Sequence, residues 1–227
     1  MKTSDPISFF FNNLSLFGSK TVAHLEISFL AIGAAILIAL PLGIWLGHIH
    51  RGSLLAITIS NIGRALPSLA VIAIGIGFLG IGTLNVVVAL FILAGPVILT
   101  NAFVAVHGVD PDAVQAAQAM GMRPRQVLTR VELPLALPLI FAGVRTATVY
   151  VVATATLATF AGGGGLGDIV VNEPSYGTGG VIAASLTITV LTFGIDGLLA
   201  LVQRWVTPPP LRHLGRHGRT DSVVEAT

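Results

Sequence analysis

Few side chains in this chain are placed to do covalent chemistry. His48 and His50 lie two residues apart with no Cys or acidic neighbour beside them, so a metal centre there would lack ligands. Four consecutive glycines, Gly162 to Gly165, lead into Leu166-Gly167-Asp168. No Gly-x-x-x-x-Gly-Lys-Ser/Thr occurs, and the run follows an apolar segment rather than a strand, so it reads as an extracellular re-entrant turn or hinge and not as a nucleotide loop. Ser, His and Asp are nowhere arranged as in a hydrolase. No catalytic residue, metal or cofactor is expected. The chemistry that remains is recognition, and it is concentrated in a polar island between two hydrophobic blocks: Gln115-Ala116-Ala117, then Gly121, then Val131-Glu132-Leu133-Pro134.

The island is patterned as a small helix–turn–helix. Asp110 suits an N-cap and Pro111 the first helical position. Ala113, Ala116, Ala117 and Met120 recur at i, i+3, i+4 and i+7, which makes one apolar face. Gly121 can take the left-handed conformation that ends the helix. A second short helix can start at Pro124, with Val127, Leu128 and Val131 on one face, and stop before Pro134. A water-exposed helix with a flat stripe of small residues is a docking element for something outside the membrane.

The elements that position this island are membrane spans. Of 227 residues, 54% are hydrophobic and 10% charged, which excludes an ordinary soluble domain. There is no cysteine, so disulfides are ruled out. Five segments have the roughly 20 mostly apolar residues that a span requires: about 25–47, 54–79, 84–106, 135–161 and 180–203. The expected fold is an all-α membrane bundle of about five helices. Residues 1–21 read as an interfacial segment leading into the first span, without a cleaved signal peptide. Residues 22–206 read as the transmembrane domain, with the cytoplasmic loop at 107–134. Residues 207–227, with Pro208-Pro209-Pro210 and several Arg and His, read as a disordered basic tail near the lipid surface.

Charge orients the bundle. One side would carry Arg51, Arg123, Arg125, Arg130, Arg204, Arg212, Arg216 and Arg219, and the other only Lys2 and Lys20. The arginine side is then cytoplasmic, with the N-terminus outside and the island and C-terminus inside. Trp45 and Trp205 read as interface belt residues. Small residues pair at four-residue spacing at Gly43/Gly47, Gly143/Ala147 and Thr154/Ala158, which lets backbones approach closely. Two readings stay open for these faces: packing within one subunit, or, for the fourth span, a pathway or a meeting with a second copy.

Polar groups within the spans are pathway candidates: Arg64, Asn101, Arg145 and Asp196. Asp196 is either functional or paired with another span's polar group for structure alone. Arg145 is placed to snorkel toward cytoplasmic water, or to bridge to the island. Arg64, near Asn61 and just before Pro67, either lines the pathway where proline kinks the helix or pairs with Asp196.

At the island the residues resemble a known family. Gln115-Ala116-Ala117, three residues, Gly121, nine residues, then Val131-x-Leu133-Pro134 is similar to the EAA loop of ABC-importer permeases: Glu-Ala-Ala, three residues, Gly, nine residues, Ile-x-Leu-Pro. The resemblance continues through Ala142-Gly143-Val144-Arg145-Thr146-Ala147-Thr148 and Gly163-Gly164-Gly165-Leu166-Gly167-Asp168, and Arg64-Ala65-Leu66-Pro67 fits as well. That set looks like the permeases for glycine betaine, carnitine and choline, over about residues 20–205. The resemblance implies the MetI-like permease fold and a mechanism in which the loop lies in a groove on a cytoplasmic ATP-binding subunit. ATP would be hydrolysed there and not in this chain. It implies Asp110, Ala113, Gln115, Ala116, Ala117, Met120, Gly121, Leu133 and Pro134 as coupling residues. The family's Glu is here Gln115, which removes one charged contact.

The partners implied are cytoplasmic ATP-binding subunits, a second permease subunit, identical or paralogous, an extracytoplasmic solute-binding protein and membrane lipids, with no nucleic acid. Two Trp and two Tyr are few for an aromatic cage around a quaternary ammonium group, so tight solute recognition is assigned to the separate binding protein. Two rivals remain. One is a permease for another solute such as methionine, and the Arg145-Thr146-Ala147-Thr148 stretch favours osmoprotectants over it. The other is a lipid-modifying membrane enzyme, which would need clustered Asp or His.

Overall fold

The computed structural model describes residues 5–206. The predicted tail at 207–227 lies outside the described residues. The fold is all-α. A short helix, α1 (Pro6–Asn12), leads into α2 (Leu14–His48). Then come α3 (Ser53–Ala65), α4 (Ser68–Leu79) and α5 (Thr83–His107). The polar island holds α6 (Pro111–Ala119) and α7 (Pro124–Val127), and it is followed by α8 (Leu133–Thr154), α9 (Gly167–Val171) and α10 (Glu173–Val206).

Four stretches among the described residues are long and apolar enough to cross a membrane: Leu14–His48, Thr83–His107, Pro124–Ala161 and Glu173–Trp205. The segment expected as a second span is broken. Leu66 and Pro67 are extended, with ψ of 119° and 122°, because the proline ring disfavours helical geometry in the residue before it. That span is therefore two helices, α3 and α4, rather than one kinked helix. The first span begins earlier than expected, at Leu14. The last is bent at Gly177, whose φ is 67°.

The helix α5 is the centre of the bundle and packs on α2, α3, α4 and α8. Its partnership with α2 depends on missing side chains. A Cβ on Gly43 would lie 2.5 Å from the carbonyl oxygen of Leu99, and one on Gly47 would lie 2.9 Å from that of Phe103. Gly143 of α8 likewise leaves room for Asn101, whose Cβ would stand 2.3 Å from an added Cβ. These small-residue faces are thus used inside the subunit, where close backbone approach yields packing density that lipid cannot supply. The main buried cluster joins α2, α5 and α8 through Ala31, Ala35, Leu90, Ala94, Ile98, Ala147 and Val151.

The two ends of the bundle differ. At one end the glycine run folds back under α2. Gly162, Gly164 and Gly165 all have positive φ, a conformation that costs L-residues energy but not glycine. At that end Lys20 pairs with Asp168 at 2.5 Å, Thr159 Oγ1 donates to the same carboxylate, and the His24 ring nitrogen Nε2 meets the Val152 carbonyl at 2.8 Å. A second cluster, with Phe17, Leu166, Ile169, Ala183 and Ala184, closes it. At the other end the C-terminal turns of α2 and α5 lie side by side, the His50 and His107 rings 4.9 Å apart.

Candidate functional site

The polar island is at this second end, and its hairpin is built by short-range chemistry. The Asp110 carboxylate accepts from the Asp112 N–H at 2.9 Å, and Pro111 fills the first turn where no donor is needed. The helix ends in a paired closure. The Gly121 N–H donates to Gln118 O at 2.9 Å and the Met122 N–H to Ala117 O at 3.2 Å. That pair of bonds is a Schellman motif, with Gly121 at the left-handed position, φ 81°. The return is fixed by Pro124 and by the Gln126 side chain, whose Oε1 accepts from the Arg123 N–H at 2.8 Å.

The predicted apolar face divides in two. Ala117 is 1% exposed, and Val114 packs against the cluster of Ala102, Ala105, Val106, Val109, Ala136 and Ile140. Ala113 is half-buried. Gln115 and Ala116 are exposed, and Met120 is 71% exposed. One side of α6 therefore seats the hairpin on the bundle. The other presents Gln115, Ala116 and Met120 to the outside. Leu133 and Pro134 are half-buried at the base.

The second helix of the island does not stop at Pro134. From Pro124 the chain stays helical through a π-type turn at Leu128–Glu132 and continues into α8. The Leu133 N–H reaches back five residues to Leu128 O. A proline in a regular α-helix clashes with the carbonyl four residues before it and leaves that carbonyl unpaired. The wide turn ends at Glu132, so Pro134 falls in the first turn of α8, where a missing donor is tolerated, and the proline marks a change of helix type rather than an end.

The same turn brings in a residue pair that the sequence reading missed. Glu132 is 1% exposed, and its Oε2 accepts from Nδ1 of His48 at 2.6 Å. His48 had no acidic neighbour in the sequence; its partner is 84 residues away. Among the described residues no group of three or more His, Cys, Asp or Glu converges as a metal site.

The intramembrane candidates separate. Arg145 of α8 and Asp196 of α10 form a bidentate pair, Nε to Oδ1 at 2.5 Å and Nη2 to Oδ2 at 2.6 Å. Both side chains are about one-third exposed, beside a shallow cavity of about 280 Å³ lined also by Ala142, Thr146 and Val149. Arg145 thus neither snorkels to the surface nor bridges to the island. Its guanidinium matches a carboxylate in geometry and charge, and within apolar surroundings that pairing prevails. Asn101 stands apart, packed on Gly143, with its Nδ2 donating to Val97 O at 2.8 Å. Arg64 lies in α3, and its side chain is outside the described residues.

Comparison with known proteins places this geometry. Residues 39–208 match the family model of the binding-protein-dependent transport system inner membrane component. The chain is 40% identical to the choline transport system permease protein OpuBB of Bacillus subtilis (strain 168), over 86% of this chain and 90% of that one. It is 39% identical to the glycine betaine/carnitine/choline transport system permease protein OpuCB of the same organism, over 85% and 89%. Among solved structures, a chain of the inward-facing MetNI methionine ABC transporter superposes with a TM-score of 0.73 at 25% identity, covering 82% of this chain and 94% of its own.

Proposed function

Because this chain belongs to the binding-protein-dependent transport system inner membrane components, the permease subunits of ABC importers, we propose that it forms half of a translocation pathway for quaternary-ammonium osmoprotectants of the choline, glycine betaine and carnitine type. It is a multi-pass membrane protein and a transport-pathway component rather than an enzyme, working with ATP-binding subunits and a partner permease. A separate extracytoplasmic protein delivers the solute. The observation that carries the coupling part of this reading is the hairpin at 107–134: rigidly capped at both ends of α6, seated by Ala117, and exposing Gln115, Ala116 and Met120. Asp110, Ala113 and Gly121 hold its shape, while Leu133 and Pro134 join it to α8.

The arginine-rich end faces the cytoplasm and the glycine loop faces outward, so the N-terminus is outside and the C-terminus inside. The Arg145–Asp196 pair borders the pathway, where a charged pair one-third exposed within the membrane meets water or a second subunit rather than acyl chains. The outward face of α10, with Leu186, Phe193 and Leu198 exposed, suits lipid and the partner permease. Uptake of labelled choline, glycine betaine, carnitine and methionine, in a host lacking other importers, tests the substrate class. The reading requires accumulation of at least one of the first three, dependent on this chain; accumulation of methionine alone overturns it.

A further inference from the structure

The hairpin is joined covalently to α5, which enters it, and to α8, which leaves it, and Val114 and Leu128 pack on the bundle. Glu132 adds a polar contact to His48 at the end of α2. The π-type turn ends at Glu132. Buried positions along the continuous helix are Val127, Glu132, Ala136, Ile140, Gly143 and Ala147. After Glu132 the spacing is three or four residues, as an α-helix demands, but from Val127 to Glu132 it is five. Continued from Val127, an uninterrupted α-helix would turn Val131 inward, whereas counted back from Ala136 it turns Glu132 inward. The wide turn inserts one residue and lets Val127 and Glu132 both face the bundle. The family pattern leaves position 132 unspecified, so the EAA motif itself does not call for an acid.

A carboxylate at 1% exposure is costly unless paired, and its partner is held in place. The chain leaves α2 through two left-handed residues, His50 at φ 51° and Gly52 at φ 86°. The His50 ring nitrogen Nδ1 lies 3.0 Å from His48 O, and His50 packs on His107, which stacks on Phe103. At its other end α2 is tied to the end of the glycine loop by Lys20–Asp168 and to α8 by His24, whose Nε2 meets the Val152 carbonyl. From Lys20 to His48 is about 42 Å at the helical rise per residue, close to the full thickness of a bilayer with its headgroups.

We propose that the Glu132–His48 pair is the strut by which α2 follows the coupling hairpin, carrying its displacement across the membrane to the glycine loop. Glu132 and His48 are then positioning residues for transport. This inference rests on the hairpin being the ATPase-docking element. The test uses the complete importer, with ATP-binding subunits and binding protein, reconstituted in vesicles, comparing wild type, Glu132→Gln, His48→Gln and the exchanged pair His48→Glu with Glu132→His. Uptake per ATP hydrolysed is the readout. In the single variants the assembled complex is expected to hydrolyse ATP within about twofold of wild type while uptake per ATP falls about tenfold. The exchanged pair should recover most of that loss. Unchanged uptake per ATP in both single variants overturns the strut. So does loss of assembly in both without recovery in the exchanged pair, which is the signature of a purely structural pair. If the wild-type chain itself recruits no ATPase, the docking assignment fails, and the strut with it. That outcome is read on wild type alone and so is distinct from failure of the strut.

Discussion

At the residue scale the hairpin depends most on Gly121. No atom outside its neighbours lies within 4 Å of where its Cβ would be, so substitution there is a question of backbone alone. At φ 81° an L-residue is disfavoured by roughly 1–2 kcal/mol, and a β-branched one by more. Gly121→Val should therefore open the turn after α6 and lower uptake per ATP. Gly121→Asn, whose side chain tolerates the left-handed region, should stay near wild type. Equal activity in the two variants would show that the turn's geometry does not matter for coupling. Most of the hairpin's chemistry was readable at this scale, since an N-cap, a proline at the first turn and a terminating glycine act over a few residues. The Glu132–His48 and Arg145–Asp196 pairs were not. Their partners are 84 and 51 residues apart, and nothing local joins them.

At the scale of elements, both prolines that the sequence marked act differently from expectation: Pro67 breaks a span that was expected only to kink, and Pro134 breaks nothing. Pro67 separates α3 from α4 because the residue before it is forced out of helical geometry. Pro134 was expected to end a helix, but it falls in the first turn of α8, just after a π-type turn that shifts the register by one residue. Apolar periodicity assumes a constant 3.6 residues per turn, so it could not put Val127 and Glu132, five residues apart, on one buried face. The α2–α5 seam gives a further prediction. On Gly43 a Cβ would meet a backbone oxygen at 2.5 Å, whereas on Gly33, in the same helix, it meets nothing within 4 Å. Gly43→Ala should destabilise the protein by about 1–3 kcal/mol. Gly33→Ala should be neutral or stabilising by about 0.5–1 kcal/mol. Unfolding in detergent micelles, followed by circular dichroism, checks both. Equal stability of the two variants would mean that the seam is looser than its geometry indicates.

At the scale of the whole molecule, the arrangement is a long helix fastened at each end: α2 to the end of the glycine loop through Lys20 and to α8 through His24, and to the hairpin through His48. The hairpin is proposed as the place where the ATP-binding subunit docks. The chain contains no cysteine, so a single introduced thiol reports its own surroundings without interference. Thiol cross-linking in inverted membrane vesicles, with Ala116→Cys, Ala117→Cys and Val171→Cys in the assembled importer, is the most direct measurement. Ala116→Cys should capture the ATP-binding subunit. Ala117→Cys, on the buried side of α6, and Val171→Cys, beside the glycine loop, should not. Capture from Val171→Cys with none from Ala116→Cys would contradict the account, because the motor would then be acting at the opposite end of the bundle.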